Sequence, residues 1–111
     1  EMSRPIISQD GSDGDELPGY VCNMTDGATA GFKYFACKNI SKIDIKVRGY
    51  MDGCFEVRTH PDEAPCGSVP VNQCNYWETF SAPCVIPDGT HAIYLTYRGK
   101  NAPTLGGFKL Y

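Results

Sequence analysis

Alternation of apolar and polar residues with a period of two constrains the fold of this chain more than any other feature of its sequence. Ile43, Ile45 and Val47 alternate with lysine, aspartate and arginine, which is the pattern of a strand with one buried face. Phe55 and Val57 continue this pattern further along the chain. No segment has a convincing helical period, and glycine or proline interrupts the chain at short intervals. The sequence therefore predicts an all-β protein.

The clearest order of elements lies in residues 85–111. Proline and glycine at positions 87–89 predict a turn, because proline presets the first turn angle and glycine accepts a positive φ. Residues 91–98 then alternate as a long strand with two different faces. A loop at residues 99–103 leads to a closing strand at residues 104–111. This order is typical of the end of a β-sandwich module.

Turn signals divide the remaining chain into further short strands. We expect turns at Thr25–Gly27 and Lys38–Asn39, a hairpin at Met51–Gly53, and polar loops at residues 60–65 and 72–75. The intervening segments bring the total to about eight short antiparallel strands, which fits a β-sandwich of the jelly-roll type.

Length, charge and hydropathy restrict the classes of function. The 111 residues, 41% of them hydrophobic, suit one globular domain. We assign residues 1–18 to an N-terminal extension or loop and residues 19–111 to the sandwich. The net charge of -3 argues against nucleic acid or an anionic membrane as partner. No apolar run is long enough to span a bilayer. We expect a module cut from a longer, secreted or cell-surface protein.

Six cysteines are many for this length and suit an oxidising compartment. Cys54 with Cys66, and Cys74 with Cys84, are short-range pairs whose flanking strands could meet to form disulfides. The alternative is that several cysteines are buried thiols that act as small apolar side chains, and Cys37 inside an aromatic strand fits this best. The spacing of a zinc or redox site is absent.

Candidate catalytic and metal-binding patterns are weak. The acidic residues at positions 10–16 could form a calcium loop, but they do not follow the hand-type spacing, and a solvated loop is the preferred interpretation. A nucleophile elbow is absent, and we interpret both His60 and His91 as ordinary surface residues. The sequence therefore favours a non-catalytic protein without a cofactor.

Aromatic residues beside polar segments point to carbohydrate. Tyr20, Tyr76 and Trp77 lie at the edges of predicted strands next to polar residues. Proteins bind sugars by stacking an aromatic ring on the apolar face of the sugar and directing amides or carboxylates at its hydroxyl groups. The alternative for Tyr20 and Trp77 is a place in the sandwich core, and the sequence leaves this open.

Several segments resemble the carbohydrate-binding modules of family 6. Gly19–Val21 resembles the "GYI" segment whose tyrosine forms one wall of the family's sugar site. Tyr76–Phe80 resembles the segment that supplies the opposite tryptophan wall, although two tryptophans are common there and this chain has one. The family's ligand asparagine, on the loop into the last strand, aligns with Thr104, and Asn101 lies nearby in the same loop.

A closer likeness covers residues 9–111. Phrases such as DGATAGFKYFAC, KIDIKVRGY and IPDGTHAIYLTYRG resemble the C-terminal module of glycoside hydrolase family 43 enzymes, the β-xylosidases and α-L-arabinofuranosidases. The resemblance implies a non-catalytic appendage that binds hemicellulose such as xylan or arabinoxylan, with β-glucan as a further candidate. Two features depart from the family pattern: the chain lacks the calcium-associated Glu-x-Glu strand, and Gly106 replaces the usual aspartate of the last strand. A structural calcium is therefore not supported at the family's usual site, and the cysteines could replace it as a staple.

These observations lead to one hypothesis for the site and one alternative function. We predict ligand binding by a set of six residues at the loop end: Tyr20, Asn23, Tyr76, Trp77, Asn101 and Thr104. A second candidate surface is the polar strand face that carries Lys46, Arg48, Glu56 and Arg58. The alternative function is a structural sandwich that packs on an attached glycoside hydrolase and binds no sugar, in which case Tyr20 and Trp77 would lie in the core or the interface.

Overall fold

The computed structural model of this chain describes residues 24–111 and contains five β-strands in that range. The strands are β1 (Thr29–Cys37), β2 (Ile40–Arg58), β3 (Gly67–Ile86), β4 (Gly89–Asn101) and β5 (Thr104–Leu110). All strand pairs are antiparallel. The predicted all-β class is confirmed. No helix in this part of the chain is long and apolar enough to cross a membrane.

The fold is organised by β2, which is 19 residues long and changes neighbours half-way. Along one edge β2 pairs with β3. Along the other edge its residues 43–48 pair with β5, and its residues 51–58 pair with β4. We call β5 with the adjoining residues 40–48 of β2 and 78–86 of β3 the β5 layer.

The remaining strands form the second layer of the sandwich. β1 pairs with β4, which pairs with residues 51–58 of β2 and, through them, with the first residues of β3. We call this group the β4 layer. Phe108 of β5 lies against Phe32 and Phe35 of β1, with ring centroids 5.2 and 5.4 Å apart. Because β5 and β1 are not hydrogen-bonded neighbours, these contacts show that the two layers pack face to face.

The core lies between the two layers. The predicted inward residues Ile43, Ile45 and Val47 are fully buried, as are Phe55 and Val57. Burial of the closing strand is also as expected, since Leu105, Phe108 and Leu110 are all buried. Alternation in the sequence thus identified the buried face of β2 correctly, whereas in β5 a register shift between the pairs Lys46–Gly107 and Val47–Leu105 separates Leu105 from Phe108 by three residues.

We call the segment Gly49–Gly53, near which the neighbour of β2 changes from β5 to β4, the crossing point. Glycines there allow β2 and β4 to approach closely. Gly53 of β2 pairs directly with Gly99 of β4. A Cβ atom on Gly53 would lie 2.0 Å from the carbonyl oxygen of Arg98, and one on Gly99 would lie 2.4 Å from that of Asp52. Any side chain at either position would therefore force the two strands apart.

The predicted count of about eight short strands is wrong, because two pairs of predicted segments are continuous strands. The hairpin expected at Met51–Gly53 lies inside β2, where Gly53 pairs with β3 and β4 at once. The polar loop expected at residues 72–75 lies inside β3. β4 likewise extends to Asn101, into the predicted loop at residues 99–103. A strand that passes from one layer to the other needs glycine and polar residues at the bend, and these residues resemble a turn.

The turns predicted before β1, between β1 and β2 and before β4 are present in the structure. Ala28 donates a backbone hydrogen bond to Thr25 across the turn that precedes β1, and Gly27 has a φ of 86°. Asn39 has a φ of 55° between β1 and β2, and Gly89 opens β4 with a φ of 127°. The N-terminal extension predicted for residues 1–18 and the candidate site residues Tyr20 and Asn23 lie outside the described residues.

The predicted disulfides are not present. Cys54, Cys66, Cys74 and Cys84 are free thiols, so neither predicted pair, Cys54 with Cys66 or Cys74 with Cys84, is formed. Cys37 is buried, as expected for a small apolar residue, and its thiol lies 3.5 Å from the carbonyl oxygen of Phe35. Packing between the layers, and not a disulfide staple among these cysteines, holds this part of the chain together.

Candidate carbohydrate-binding site at the loop end

Trp77 lies on the outer surface of the β5 layer and not in the core. Its side chain is half-buried and is absent from the buried core cluster. The Arg48 guanidinium carbon lies 4.8 Å from the centre of the indole ring, and the Lys46 Nζ atom lies 5.9 Å from it. Because these two residues alternate with the buried Ile45 and Val47, they place the indole on the outward side of β2. The open question of core or surface is thus answered for Trp77.

Gly106 of β5 provides the seat for this ring. A Cβ atom at position 106 would lie 2.6 Å from Cζ3 of Trp77 and 3.1 Å from two neighbouring ring carbons. The indole therefore reaches across β2 from β3 and rests on the bare backbone of β5. The glycine that departs from the family pattern has a specific structural role here, because any other residue would displace the ring.

Asn101 and Thr104 lie on either side of a short linker at the same end of the sandwich. Thr104 begins β5 and pairs with Arg48, so it lies beside the residue that contacts Trp77. Asn101 ends β4, pairs with Met51 and has a φ of 65°, a conformation that asparagine tolerates better than most residues. The two predicted residues are therefore held on the same stretch of β2.

An open cavity of about 660 Å³ adjoins this linker. Its described lining residues are Thr25, Asp26, Gly49, Tyr50, Gly99, Asn101 and Ala102. The Asp26 carboxylate accepts a hydrogen bond of 3.0 Å from the backbone N–H of Gly99, which fixes it at the rim. Asn101 belongs to this cavity, whereas Trp77 is not among its described lining residues. We call the cavity together with Trp77, Arg48 and Thr104 the loop-end site.

Tyr50 is a member of this site that the sequence analysis missed. Its side chain is 63% exposed and lines the cavity with Asn101. It is one of the even-numbered residues of β2, which point outward along the strand, and the neighbouring Met51 is buried. Its outward position in the alternation of β2 was the signal that could have identified it.

Tyr76 and Trp77 lie in an irregular part of β3. Residues 75–77 fall between the pairs Val47–Glu78 and Gly49–Cys74, where the register of β2 and β3 shifts, so alternation does not assign their faces. Tyr76 is 82% exposed, the highest value among the exposed large hydrophobic residues, whereas Trp77 is half-buried. The described structure thus brings Trp77, Thr104 and Asn101 to one end of the sandwich and leaves Tyr76 largely exposed.

The second predicted surface is divided between the two layers. Lys46 and Arg48 lie on the β5 layer, whereas Glu56 and Arg58 follow the crossing point and lie on the β4 layer. On the β4 layer the Glu56 carboxylate lies 2.9 Å from Arg58 and 3.3 Å from Arg98. Partial burial alone would raise the pKa of Glu56, but the hydrogen bonds and charges of these two arginines outweigh it and hold the pKa below its ordinary value. Each of the two arginines thus has the Glu56 carboxylate as its partner, and the group keeps a net charge of +1.

Both histidines make local contacts with the backbone. The Nδ1 atom of His60 accepts a hydrogen bond of 3.2 Å from the N–H of Asp62. The Nε2 atom of His91 donates to the carbonyl oxygen of Pro87 at 2.8 Å. Across residues 24–111, no group of three or more histidine, cysteine, aspartate or glutamate side chains is arranged to hold a metal ion.

Comparison with known proteins gives one similar sequence and a consistent set of similar structures. No protein-family model matches the chain. A xylosidase/arabinosidase of Thermoclostridium stercorarium is 56% identical over 106 residues, which cover 96% of this chain and 22% of that protein. The chain thus spans about a fifth of the length of this curated relative.

Three solved structures illustrate the likeness of fold. A family 6 carbohydrate-binding module of Clostridium cellulolyticum, in complex with xylose, has a TM-score of 0.76 and 16% identity, with 92% of this chain and 89% of that chain covered. A β-1,3-glucan-binding family 6 module of Bacillus halodurans has a TM-score of 0.73 and 23% identity, with coverage of 82% and 75%.

The third structure is a whole enzyme, a glycoside hydrolase family 43 arabinoxylan arabinofuranohydrolase of Bacillus subtilis in complex with cellotetraose. It has a TM-score of 0.73 and 15% identity, and the match covers 82% of this chain and 20% of that chain. The face-to-face layers of the sandwich agree with all three. The chain has the fold of the family 6 carbohydrate-binding modules.

Proposed function

We propose that this chain is a non-catalytic carbohydrate-binding module that holds an attached glycoside hydrolase at hemicellulose of the xylan or arabinoxylan type. The fold and the similar xylosidase/arabinosidase sequence support this function. A tethered module of this kind acts by raising the local concentration of its enzyme near the polymer, so that even weak binding is effective. As part of such an enzyme, the module would work outside the cell.

The observation that carries the proposal is the seating of Trp77. The indole rests on Gly106 and remains partly exposed, and the Arg48 guanidinium lies over the ring, 4.8 Å from its centre. Thr104 pairs with Arg48 and supplies a hydroxyl group nearby. A partly exposed apolar ring with hydrogen-bonding groups close to it suits a sugar, whose apolar C–H face is surrounded by hydroxyl groups. We assign the stacking contact to Trp77.

Hydrogen bonds to the sugar hydroxyls are assigned to the rim of the loop-end site. Thr104 and Asn101 supply a hydroxyl and an amide, and Asp26 supplies a carboxylate that accepts hydrogen bonds. Tyr50 offers a second ring at the cavity. Tyr20 and Asn23 remain predicted members of the site on the basis of the sequence resemblance, and Tyr76 remains a predicted ligand whose side chain is largely exposed.

The described part of the loop-end site does not contain the pair of carboxyl groups that most glycosidases use. Most glycosidases place two carboxyl groups on either side of the scissile bond. Among the described lining residues of the cavity, Asp26 is the single carboxylate, and it already accepts a hydrogen bond from Gly99. This supports binding without catalysis.

Affinity electrophoresis of the 111-residue chain identifies the ligand. The gels contain xylan, arabinoxylan, mixed-linkage β-glucan or a soluble cellulose derivative. We expect retardation in xylan or arabinoxylan, and loss of about tenfold or more in affinity for Trp77→Ala. Tyr34→Ala is the matched control, because Tyr34 is 54% exposed on β1 in the other layer. Circular dichroism checks that both variants fold.

The alternative function is a structural sandwich that packs on the catalytic domain. Its support is the set of exposed aromatic and aliphatic side chains, which includes Tyr76 and Val85 at 82% and 68% exposure. Under this alternative no polysaccharide retards the chain, and Trp77→Ala and Tyr34→Ala behave alike. Retardation that favours β-glucan over xylan would keep the binding function and change its ligand.

A further inference from the structure

A second groove lies on the outer surface of the β5 layer, beyond the loop-end site. Its volume is about 210 Å³. Its lining residues are Asp44, Lys46, Thr79, Phe108, Lys109 and Tyr111. They come from all three strands of the layer and from the residue that follows β5. The groove is therefore a property of the folded layer and not of one loop.

Tyr111 gives this groove an aromatic wall with positive charge on it. The side chain is 45% exposed, and its ring centre lies 4.7 Å from the Lys42 Nζ atom and 5.3 Å from the Lys109 Nζ atom. The same combination occurs at Trp77, where Arg48 and Lys46 approach the ring. Lys46 belongs to both places, since it contacts the Trp77 ring and lines the groove.

Asp44 is the one acid among the described lining residues of the groove, and its charge is already compensated. The Asp44 carboxylate accepts a hydrogen bond of 2.5 Å from Ser81 and lies 3.7 Å from the Lys42 ammonium group. Burial alone would raise its pKa, but hydrogen bonds from Ser81 and Tyr111 and the charge of Lys42 outweigh this and keep the pKa below its ordinary value. Asp44 is thus ionised at neutral pH, and its charge is balanced by Lys42.

Two cations of the groove remain without an acidic partner. Among residues 24–111, neither Lys46 nor Lys109 takes part in a salt bridge. The whole chain carries 13 acidic and 10 basic residues and a net charge of -3. A locally positive groove on a negative chain is therefore not a consequence of composition, and it suits a ligand that carries negative charge.

We propose that this groove binds a uronic acid unit, a sugar that carries a carboxylate, on the polysaccharide held by the loop-end site. The inference rests on the proposed function, because it extends the same polymer across the β5 layer. The sugar ring lies in the groove beside Tyr111, whose ring is approached by the ammonium groups of Lys42 and Lys109, and the sugar carboxylate lies between the ammonium groups of Lys46 and Lys109. From Gly106 to Tyr111 the strand covers about 16 Å, so units at Trp77 and at Tyr111 belong to different positions of one chain.

The test compares two forms of one polymer. The 111-residue chain is titrated by calorimetry with a uronic-acid-substituted xylan and with the same xylan after its carboxyl groups have been reduced to alcohols. At low salt we expect the acidic form to bind about tenfold more tightly, since charge-assisted hydrogen bonds are the stronger class. We also expect this difference to shrink as sodium chloride screens the charges.

Matched variants locate the effect. Lys109→Gln removes a cation of the groove that lies outside the loop-end site, and we expect it to abolish most of the preference while affinity for the reduced xylan is unchanged. Lys38→Gln is the control, because it removes the same charge from an exposed turn between β1 and β2. We expect it to keep the preference.

Four results would overturn the inference. Equal affinity of the wild-type chain for the two forms would do so, and so would an equal loss of preference in Lys38→Gln and Lys109→Gln. Binding of dextran sulfate that matches the acidic xylan would show a general anion-binding surface. Failure of both xylan forms to bind would remove the proposed function as well, whereas binding without preference would remove the uronic acid site alone.

Discussion

The two outer faces of the sandwich carry similar numbers of charged residues but arrange them differently. On the β4 layer Glu56 lies between Arg58 and Arg98, and the three charges form one compact network. On the β5 layer Lys46 and Lys109 have no acidic partner within residues 24–111, and cations approach the rings of Trp77 and Tyr111. In the first group each charge has an oppositely charged partner, whereas in the second two cations have none among the described residues, which is the basis of the proposed binding of a charged sugar.

One strand supplies both faces, which shows what alternation can and cannot predict. The outward residues of β2 follow the same period on both sides of Gly49–Gly53. Beyond that segment the neighbouring strand changes from β5 to β4, and the outward residues then belong to the other side of the molecule. The period predicts that a residue points outward, whereas the pairing partner determines which surface it joins.

The largest effect is expected from Gly53→Ala, which disturbs the close approach of β2 and β4. This approach lies where β2 passes from the β5 layer to the β4 layer. The added Cβ would lie 2.0 Å from the carbonyl oxygen of Arg98, so β2 and β4 must separate. We expect a loss of about 3 kcal/mol in the free energy of unfolding, measured by urea denaturation. Gly31→Ala is the control, because its nearest neighbours are atoms of the Tyr94 ring at 3.1 and 3.2 Å, which can move. Equal losses in both variants would contradict a tight crossing.

The next effect is expected on the β5 layer alone. Gly106→Ala displaces the Trp77 ring from its seat, and we expect polysaccharide affinity to fall about tenfold while stability changes by less than about 1 kcal/mol. Because the chain has one tryptophan, its fluorescence reports the change directly, and the emission should shift to the red as the indole becomes more exposed. Unchanged emission and unchanged affinity would show that Gly106 does not position the ring.

A smaller effect is expected on the β4 layer, in the network of Glu56 with Arg58 and Arg98. The folded-state pKa of Glu56 is lowered, so its stabilisation is complete above the unfolded-state pKa and is lost as the pH falls through the folded-state value. Wild type should lose less than about 1 kcal/mol of stability between about pH 5 and pH 3 that Glu56→Gln does not lose. Thermal unfolding across this range measures the difference. Parallel curves for the two proteins would show that the network contributes no stability.

The smallest effect is expected from reduction. Since Cys54, Cys66, Cys74 and Cys84 are free thiols, a reducing agent should leave the midpoint of thermal unfolding almost unchanged. Burial raises the pKa of the Cys84 thiol to about 12, and the nearby Cys66 and Cys37 add to this shift, so Cys84 should react slowly with a chromogenic disulfide reagent at pH 8. The half-buried Cys54 should react sooner. A marked drop in stability on reduction would reveal a disulfide.

Much of the fold could be predicted because its signals are local. The buried Ile43, Ile45 and Val47 and the turn before Gly89 follow from residue type and spacing within a few positions. The continuity of β2 and β3 could not be predicted in this way, because it depends on pairing with β4 and β5 from a distant part of the sequence. The sequence resemblance supplied the architecture that local patterns left open.

The candidate site was predictable in part for the same reason. The resemblance brought Trp77, Asn101 and Thr104 together as a hypothesis, and the structure places them at one end of the sandwich. Tyr50 was missed because a hairpin was expected at Met51–Gly53, whereas the alternation of β2 continues through that segment and directs Tyr50 outward. The cysteine pairs were wrong because a short separation along the chain does not bring two Cβ atoms into the geometry of a disulfide.

The length of the β2–β3 pair has a consequence for the order of folding. These strands are joined by residues 59–66, and their pairing begins with Val57 and Gly67, so the hairpin closes across a short loop. β5 joins β2 only through pairs such as Ile43 with Leu110, which are far apart in sequence and slow to meet. We therefore expect the hairpin to form early and β5 to dock late, as amide hydrogen exchange during refolding would reveal. Because β5 carries Thr104 and Gly106, the surface proposed to bind the sugar is assembled in the last step.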